Sequence, residues 1–227
     1  MKGLNNNQLK IIAMIAMTCD HIGLLFFPQV IALRVIGRLA FPIYAYMIAE
    51  GCSHTRNMGK YFGSVAAMAV LCQLVYWFAQ GSLYQSVLVT FSLSICLCAL
   101  GKLAWDKQKL WTWMAFCVAV AAVYFVTECL PEILSHTDYT VDYGFFGVLL
   151  PVGVYFARSK QKKLLFAAAS ICLVALTGWS IQWYALLALP FLALYNGQRG
   201  RFSMKWIFYF YYPIHLVLLW AIAYFIQ

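Results

Sequence analysis

Charged residues are scarce in this chain, and acidic residues are the scarcest of them. Of the 227 residues only seven are Asp or Glu, and charged residues of both signs make up 10%. Hydrophobic residues make up 64%, and the mean hydropathy is +0.79. A soluble core of this size cannot bury so much apolar surface. The composition therefore excludes a soluble globular protein and predicts an all-α, multi-pass membrane helix bundle.

The chain also lacks internal repeats, low-complexity linkers and a disulfide pattern. We therefore expect a single integral-membrane domain over residues 1–227. The eight cysteines are scattered, mostly at predicted membrane depth, where they are typical small packing residues. Cys96 and Cys98 have neither the spacing nor the partners of a zinc site, so no metal is expected.

Apolar stretches of about 15 to 21 residues give nine candidate helices, because about 20 residues span a bilayer. They lie near residues 8–27, 31–50, 61–79, 87–103, 110–126, 143–157, 164–178, 181–195 and 206–226. The fourth and the sixth to eighth are short, so a re-entrant segment can replace one or two of them. The first stretch contains Asp20 and His21 and lacks a small-residue cleavage pattern, so we expect a retained helix and not a cleaved signal peptide.

Basic residues are missing from every loop on one side of this topology. With a cytoplasmic N-terminus, fourteen of the sixteen basic residues fall in inner loops or at inner helix ends. The other two, Arg34 and Arg38, lie within the second helix. The positive-inside rule then predicts an odd number of spans, with the N-terminus inside and the C-terminus outside. This asymmetry explains the net charge of +9 without a nucleic-acid partner.

Four ionisable side chains lie inside the first two apolar stretches: Asp20, His21, Arg34 and Arg38. A charge at membrane depth costs roughly 2.5 to 3.5 kcal/mol on insertion scales, so such residues usually face a bundle interior or a cavity. At about 1.5 Å per residue, His21 and Arg38 both lie roughly 9 to 10 Å inside the outer ends of their helices. Arg34 and Arg38 share one helix face. We therefore expect two cations beside a titratable ring.

Two neighbours indicate how the imidazole of His21 is used. The adjacent carboxylate of Asp20 can orient the ring and raise its basicity, as general-base catalysis requires. On the last predicted helix Tyr211 and His215 share a face, and Pro213 frees a backbone carbonyl. His215 either meets His21 in a central cavity or hydrogen-bonds a freed backbone group in a packed interior.

The sequence around these residues resembles a known family. The matching stretches are residues 10–23 (KIIAMIAMTCDHIG), 33–42 (LRVIGRLAFP), 49–51 (AEG), 54–57 (HTRN), 142–149 (DYGFFGVL), 194–200 (LYNGQRG) and 208–216 (FYFYYPIHL). In this order, and over nearly the whole chain, they resemble the TraX family of bacterial membrane proteins.

The resemblance implies membrane-bound acyl transfer. The family is named for the conjugative pilus protein that acetylates the N-terminus of pilin. It is similar to larger transmembrane acyltransferases that pass acetyl groups from cytosolic acetyl-CoA to acceptors across the membrane. In those relatives a buried histidine is the catalytic centre, and the matching position here is His21, with Asp20 beside it. The resemblance also implies a multi-pass protein of the bacterial cytoplasmic membrane.

Acyl transfer needs a base for the acceptor's proton and positive groups near the carbonyl oxygen, where negative charge develops. We assign catalysis to His21, Asp20 and Arg38. The candidate substrate-binding residues are Arg34, Tyr212, His215, Asp142 and Tyr143. Asp142 and Tyr143 either bind an acceptor's ammonium group or mark a helix start. Whether His21 is acylated or acts only as a base stays open.

The donor and the acceptor are less closely defined than the catalytic residues. His54, Arg56 and Lys60, near the inner ends of the second and third helices, are candidates for the phosphates of acetyl-CoA. The positive-inside rule accounts for the same charges without a ligand. The acceptor is a protein N-terminus, an amino sugar or a cell-envelope polymer, and the acyl chain length is equally open.

Two other classes of function remain as alternatives. A small anionic-solute transporter would use Arg34 and Arg38 to bind its substrate, but it would predict an internal repeat, which is absent. A haem or metal protein would use His21 and His215 as axial ligands. Against this, the two arginines beside His21 would repel a metal cation, and the chain has only four histidines.

Overall fold

The structure is a computed structural model that describes residues 3–201 and 205–226. Over these residues it is helical, without an extended β-strand, and two isolated β-bridges join Leu4 to Tyr195 and Gln85 to Val141. The helices are α1 (Asn6–Leu25), α2 (Ile31–Gly37), α3 (Ala40–His54), α4 (Met58–Gln80), α5 (Val87–Lys107), α6 (Leu110–Tyr124), α7 (Leu130–Ile133), α8 (Gly144–Phe156), α9 (Lys160–Thr177), α10 (Leu189–Leu194) and α11 (Lys205–Ile226).

All nine predicted stretches are helical in the described part of the chain. Two of them change helix type along their length, and one is broken. A five-residue π-helix, Phe125–Cys129, joins α6 to α7, and a 3₁₀-helix, Ser180–Ala188, leads into α10. The predicted second helix is divided into α2 and α3 at residues 38 and 39. Pro42 explains this break, because it has no N–H for the carbonyl of Arg38 and its ring clashes with that carbonyl.

Five helical stretches are long and apolar enough to cross a membrane, within the residues described. They are Asn6–Leu25, Ile31–His54, Met58–Gln80, Val87–Lys107 and Leu110–Ile133. Three further apolar helical stretches, Gly144–Phe156, Ser180–Leu194 and Phe210–Phe225, are shorter. The protein is therefore a multi-pass membrane protein, while nine spans and the orientation stay predictions.

Polar side chains at the connections fix where the helices begin and end. The side chain of Asn5 accepts from the N–H of Gln8 (3.0 Å), and the Gln8 side chain accepts from the N–H of Asn5 (2.9 Å). This capping box satisfies two backbone donors at the start of α1. At α4 the side chain of Asn57 accepts from the N–H of Lys60, and Gly81 ends the helix with a left-handed φ of 65°, which glycine adopts without strain.

The chain divides into two compact units. Unit 1 comprises residues 1–47 and 158–227, and unit 2 comprises residues 48–157. In unit 1, α1 packs on α2 and α11, and the 3₁₀-helix packs on α2 and α9. In unit 2, α5 packs on α4, α6 and α8. Each unit therefore has its own helix packing, and the candidate site lies within unit 1.

Candidate functional site

Glycine allows α1 and α2 to pack closely where the ionisable residues lie. A Cβ on Gly37 would overlap the carboxylate of Asp20, and a Cβ on Gly23 would come within 2.8 Å of the Cβ of Leu33. Small residues are common at such contacts in membrane proteins because they let two backbones approach. The two glycines thus allow the carboxylate of Asp20 to lie directly against α2.

The carboxylate of Asp20 is paired with both arginines. Arg38 Nη2 lies 2.5 Å from Oδ1 and 2.6 Å from Oδ2 of Asp20. Arg34 Nη1 lies 2.8 Å from Asp20 Oδ2 and also donates to the backbone carbonyl of Asp20 at 3.2 Å. Removing one partner of such a group would leave an uncompensated charge at membrane depth. We call these three residues the charge cluster.

Exposure distinguishes the two arginines of the charge cluster. The side chain of Arg38 is 8% exposed, whereas that of Arg34 is 24% exposed. Arg38 also extends Nη1 to Oε1 of Gln182 on the 3₁₀-helix, at 3.5 Å. Arg38 therefore links α1, α2 and the 3₁₀-helix. Arg34 is the more accessible of the two guanidinium groups.

Within the described residues, the imidazole of His21 has two hydrogen-bonding neighbours, both at Nδ1. The backbone carbonyl of Met17 is 2.9 Å from this nitrogen, and Nε2 of His215 is 3.3 Å from it. Nδ1 of His215 in turn lies 2.9 Å from the carbonyl of Tyr211. His215 thus contacts His21 in the structure, and its other ring nitrogen bonds a carbonyl that is not the one freed by Pro213, four residues before that proline.

These contacts define the tautomer of both rings. A carbonyl oxygen can only accept a hydrogen bond, so Nδ1 carries the proton in each neutral imidazole. Nε2 of His215 is then an acceptor, and it faces the Nδ1–H of His21. Nε2 of His21 is consequently the unprotonated nitrogen. This is the atom of His21 that can accept a proton or attack an electrophile.

Aromatic and hydroxyl groups surround the histidine pair. The Tyr211 ring stacks on His215 with centroids 5.1 Å apart and an angle of 10°, and the Tyr212 ring meets His215 edge-on at 5.5 Å. The hydroxyl of Tyr211 lies 3.3 Å from the carbonyl of Met14 and hydrogen-bonds the hydroxyl of Thr18. Tyr211 thus joins α11 to α1 one turn before His21.

The expected contact between Asp20 and the imidazole of His21 is replaced by a different pairing. Among the described residues, the groups that hydrogen-bond the ring are Met17 and His215, while Asp20 binds the two arginines. The physical reason is that two guanidinium groups at membrane depth need a counter-charge, and Asp20 is the carboxylate that α1 places opposite them. Asp20 therefore acts on the site through the arginines.

Two predicted substrate-binding residues, Asp142 and Tyr143, belong to unit 2 and begin α8. The backbone N–H of Asp142 donates to the carbonyl of Gln85 (3.0 Å), and its own carbonyl accepts from Thr90 Oγ1 (2.5 Å). Burial raises the pKa of Tyr84 well above its ordinary value. The Asp142 carboxylate, which accepts a hydrogen bond from the Tyr84 hydroxyl, raises this pKa further. These contacts fit the helix-start alternative, since they join the segment before α5 to the start of α8.

The residues predicted to bind the phosphates of the donor also lie in unit 2, at the connection between α3 and α4. His54, Arg56 and Lys60 are exposed. Nδ1 of His54 lies 2.8 Å from the carbonyl of Glu50, one turn earlier. The backbone N–H of Lys60 donates to the cap residue Asn57 at 2.9 Å. The three cations are therefore neighbours along the chain on an accessible surface.

Sequence reasoning missed Gln182 and did not include Tyr211 and Thr18 among the site residues. Gln182 reaches Arg38 from 144 residues away along the chain, in a segment with no motif that indicates this contact. Tyr211 had a signal, because it shares a helix face with His215 at four residues' spacing. Thr18 lies one turn before His21 in α1, on the side that faces Tyr211.

The fold and the imidazole pair beside a charge cluster define a class: multi-pass membrane proteins with an ionisable centre between packed helices. The chain belongs to the TraX family, whose description is "TraX protein", with a match over residues 5–223. It is 28% identical to the probable fimbrial assembly protein FimC, serogroup H1, of Dichelobacter nodosus, over 97% of this chain and 96% of that protein.

A second relative matches a short segment. It is the uncharacterized protein RP591 of Rickettsia prowazekii (strain Madrid E), which is 50% identical over 38 residues, or 17% of this chain and 15% of that protein. No solved structure matches the chain.

Proposed function

We propose that this protein is a membrane-bound acyltransferase. It transfers an acetyl or other short acyl group from cytosolic acyl-CoA to an amine or hydroxyl acceptor at the outer face of the bacterial cytoplasmic membrane. The proposal includes the predicted topology of nine spans, with the N-terminus inside and the C-terminus outside. The observation that carries it is the hydrogen bond between His21 and His215, which leaves Nε2 of His21 unprotonated close to the charge cluster.

The chemistry follows from the tautomer. Nε2 of His21 accepts the proton of the acceptor amine or hydroxyl as that atom attacks the thioester carbonyl. A new C–N or C–O bond forms, the carbonyl π electrons move to oxygen, and the C–S bond breaks when the carbonyl re-forms. The proton held by His21 then passes to the departing thiolate, so the products are the acylated acceptor and CoA. Direct transfer needs no acyl-histidine.

His215 stabilises His21 during this step. When Nε2 of His21 takes a proton, the ring becomes an imidazolium, and its Nδ1–H donates more strongly to Met17 and His215. We therefore move His215 from the substrate-binding group to a positioning role. Tyr212 touches His215 at the ring edge and is assigned to the wall of the same site.

The charge cluster supplies positive charge for the carbonyl oxygen. Arg34 is the group that we assign to the developing oxyanion, because it is the more accessible arginine and its contacts with Asp20 are both made by Nη1. Arg38 is a positioning residue that holds Asp20 and Gln182. A guanidinium group has five N–H donors, so Arg34 has donors beyond those made by Nη1.

The name of the D. nodosus relative supports a class of acceptor. That protein is described as a probable fimbrial assembly protein, and it aligns with almost the whole of this chain. We propose that the acceptor is the N-terminal amine of a fimbrial subunit. An N-terminal amine has an ordinary pKa of about 7.7 to 8.0, so part of it is neutral and nucleophilic near neutral pH, and His21 takes the proton that this neutral amine loses as it attacks.

Release of free CoA from acetyl-CoA tests the proposed activity. Purified wild type, His21→Ala and His136→Ala proteins are compared in detergent, with a peptide that carries a fimbrial N-terminus or with its N-blocked form. We expect release that depends on the free amine, is retained in His136→Ala and falls about 10²- to 10⁴-fold in His21→Ala. His136 is the matched control because it is an exposed histidine of unit 2.

Equal rates in wild type and His21→Ala would refute the role of His21. Release that does not depend on the free amine would refute the fimbrial acceptor and leave hydrolysis or another acceptor to be found. Uptake of an anionic solute by vesicles that contain the protein, without CoA release, would favour the transporter.

A further inference from the structure

A second group of charged residues lies at the other end of α1, and the proposed reaction does not use it. Lys10 lies near the start of α1, and Arg199 is close enough for the two charges to interact. Lys160 and Lys163 lie in the first turn of α9. We call Lys10, Lys160, Lys163 and Arg199 the cation cluster.

Contacts around Tyr195 bring the members of the cation cluster together. Lys160 Nζ donates to the backbone carbonyl of Tyr195 at 2.8 Å. Lys163 Nζ lies over the Tyr46 ring, 5.9 Å from its centroid, and the rings of Tyr46 and Tyr195 meet edge-on with centroids 5.9 Å apart. Four cations from α1, α9 and the segment after α10 therefore share one region.

Backbone hydrogen bonds hold the start of the chain against this region. The N–H of Leu4 donates to the carbonyl of Leu194 at 2.9 Å, and the N–H of Asn196 donates to the carbonyl of Leu4 at 2.9 Å. The N–H of Asn6 donates to the carbonyl of Gln198 at 3.0 Å. The segment that carries Arg199 is thus attached to the first residues of α1, and the cluster is a built part of unit 1.

The charge of unit 1 favours a polyanionic ligand. This unit contains eleven of the sixteen basic residues and one of the seven acidic residues, Asp20, which pairs with Arg34 and Arg38. Such an excess of one sign attracts and concentrates anions, most strongly those with several charges. Lys160 and Arg199 are exposed, so their head groups are accessible to a ligand from solution.

The position of Lys10 relative to His21 indicates the length of that ligand. Both residues lie on α1, eleven positions apart, so they are about three turns and roughly 16 Å apart on nearly the same face. A phosphopantetheine arm has about 13 bonds from its phosphate to its sulfur, roughly the length of four to five extended residues, or about 15 Å. The length of the arm therefore matches the distance along α1, so a donor whose phosphate lies at the cation cluster can place its thioester at His21.

We propose that the cation cluster binds the phosphate groups of the acyl donor, with the arm of the donor extending along α1 towards His21. This inference rests on the proposed acyltransferase function. It places the donor's phosphates in unit 1, and not at His54, Arg56 and Lys60. The hydroxyl groups of Thr18 and Tyr211 lie between the cluster and His21, where they can meet the amides of the arm.

Phosphate groups also occur on anionic lipids, so the test separates the two sources. Full-length protein is reconstituted in nanodiscs of phosphatidylcholine alone, or with one third phosphatidylglycerol. The dissociation constants of CoA and of 3′-dephospho-CoA are measured by calorimetry. Three double variants are compared with wild type: Lys160→Gln/Arg199→Gln, the charge-conserving Lys160→Arg/Arg199→Lys, and the control Arg56→Gln/Lys60→Gln.

We expect Lys160→Gln/Arg199→Gln to weaken CoA binding at least tenfold and to reduce the preference for CoA over 3′-dephospho-CoA. The charge-conserving variant and the Arg56/Lys60 control should stay within threefold of wild type. Because CoA carries no acyl group, this binding assay does not depend on turnover or on the acceptor.

Other outcomes would overturn the inference. Wild-type CoA affinity in Lys160→Gln/Arg199→Gln would refute it while leaving the acyltransferase proposal intact. A loss confined to Arg56→Gln/Lys60→Gln would place the phosphates in unit 2. A change in retained phosphatidylglycerol without a change in CoA binding would make the cluster a lipid site. Absence of CoA binding by wild type would refute both this inference and the proposed donor.

Discussion

Units 1 and 2 use their charged residues in different ways. Unit 2 has five basic and six acidic residues, whereas unit 1 has eleven basic residues and one acidic residue. In unit 2, Glu128 accepts from the N–H of Phe145 at 2.7 Å and Asp138 accepts from the N–H of Leu83 at 2.9 Å. In unit 1, Asp20 lies within α1 and pairs with two arginines.

This difference teaches that the partners of a charged residue, and not the number of charges, indicate function in a membrane protein. Glu128, near one end of the candidate span Leu110–Ile133, and Asp138, in a connection, each accept from a backbone N–H of another segment, which is a task of architecture. Asp20 lies inside the candidate span Asn6–Leu25, where a charge is costly, and it pairs with two arginines beside His21. We therefore expect substitutions in unit 1 to affect both stability and activity, and comparable changes in unit 2 to affect stability alone.

The largest effect is expected from Asp20→Ala. It leaves Arg34 and Arg38 without their shared carboxylate, which should destabilise the protein by about 3 to 5 kcal/mol and abolish acyl transfer. The measurement is unfolding of the detergent-solubilised protein followed by tryptophan fluorescence, together with CoA release. Asp138→Ala is the matched carboxylate in unit 2, and it should keep its activity. Equal losses of stability and of CoA release in the two variants would contradict the distinction between the units.

Gly37→Ala should have the next largest effect. The added methyl group would overlap the Asp20 carboxylate, and overpacking of this kind costs about 1 to 3 kcal/mol. Gly63→Ala in α4 is the control, because a Cβ there meets nothing within 4 Å. It should be neutral, or stabilising by about 0.5 to 1 kcal/mol, since alanine is the better helix former. Thermal unfolding midpoints in one detergent would rank the two variants, and equal stability would contradict close packing of α1 on α2.

His215→Ala tests the positioning role within unit 1. We expect kcat to fall about tenfold, corresponding to about 1.4 kcal/mol, with the KM for the acceptor unchanged, because Met17 still holds Nδ1 of His21. His215→Gln should recover part of the rate, since its side-chain oxygen can accept from the same N–H. Steady-state kinetics decides the assignment. A raised KM for the acceptor with an unchanged kcat would return His215 to the substrate-binding group.

The smallest effect concerns Asp138 and the stability of unit 2 in acid. Hydrogen bonds from the Ser82 hydroxyl and the Leu83 N–H lower the pKa of Asp138 from its ordinary value. A lowered folded-state pKa means that this stabilisation is present above the ordinary carboxyl pKa of about 3.9 and is lost as the pH falls through the lowered value. Asp138→Asn should therefore make stability less dependent on pH below about 4. Unfolding titrations from pH 6 to pH 2.5 would show the difference. The same loss of stability below about pH 4 in wild type and Asp138→Asn would refute it.

Much of the helix arrangement was predictable from the sequence. Each of the nine apolar stretches is helical among the described residues, because runs of apolar residues bounded by polar caps determine helices in membrane proteins. The break at residues 38 and 39 was also predictable, since Pro42 removes the partner of the Arg38 carbonyl. Treating residues 31–50 as one uninterrupted helix overlooked this signal.

The site was predictable only in part. Equal depth on neighbouring helices placed Arg38 level with the Asp20 and His21 pair, and the structure brings Asp20, Arg34 and Arg38 together. The expectation that Asp20 orients the His21 ring overlooked the roughly 100° between adjacent residues on a helix, which lets Asp20 face the arginines while His21 faces His215. Gln182 could not have been found, since nothing in its own segment indicates a contact with Arg38.

The charge cluster and the histidine pair are completed by segments at different distances along the chain, which has a consequence for biogenesis. α1 and α2 are adjacent in the chain, so Asp20 can neutralise Arg34 and Arg38 as soon as this hairpin enters the bilayer. The contact of His21 with His215 needs α11, because His215 lies 194 residues further along the chain. The charge cluster can therefore form early in synthesis, whereas the imidazole pair on which the proposed activity depends forms only after α11 has been made.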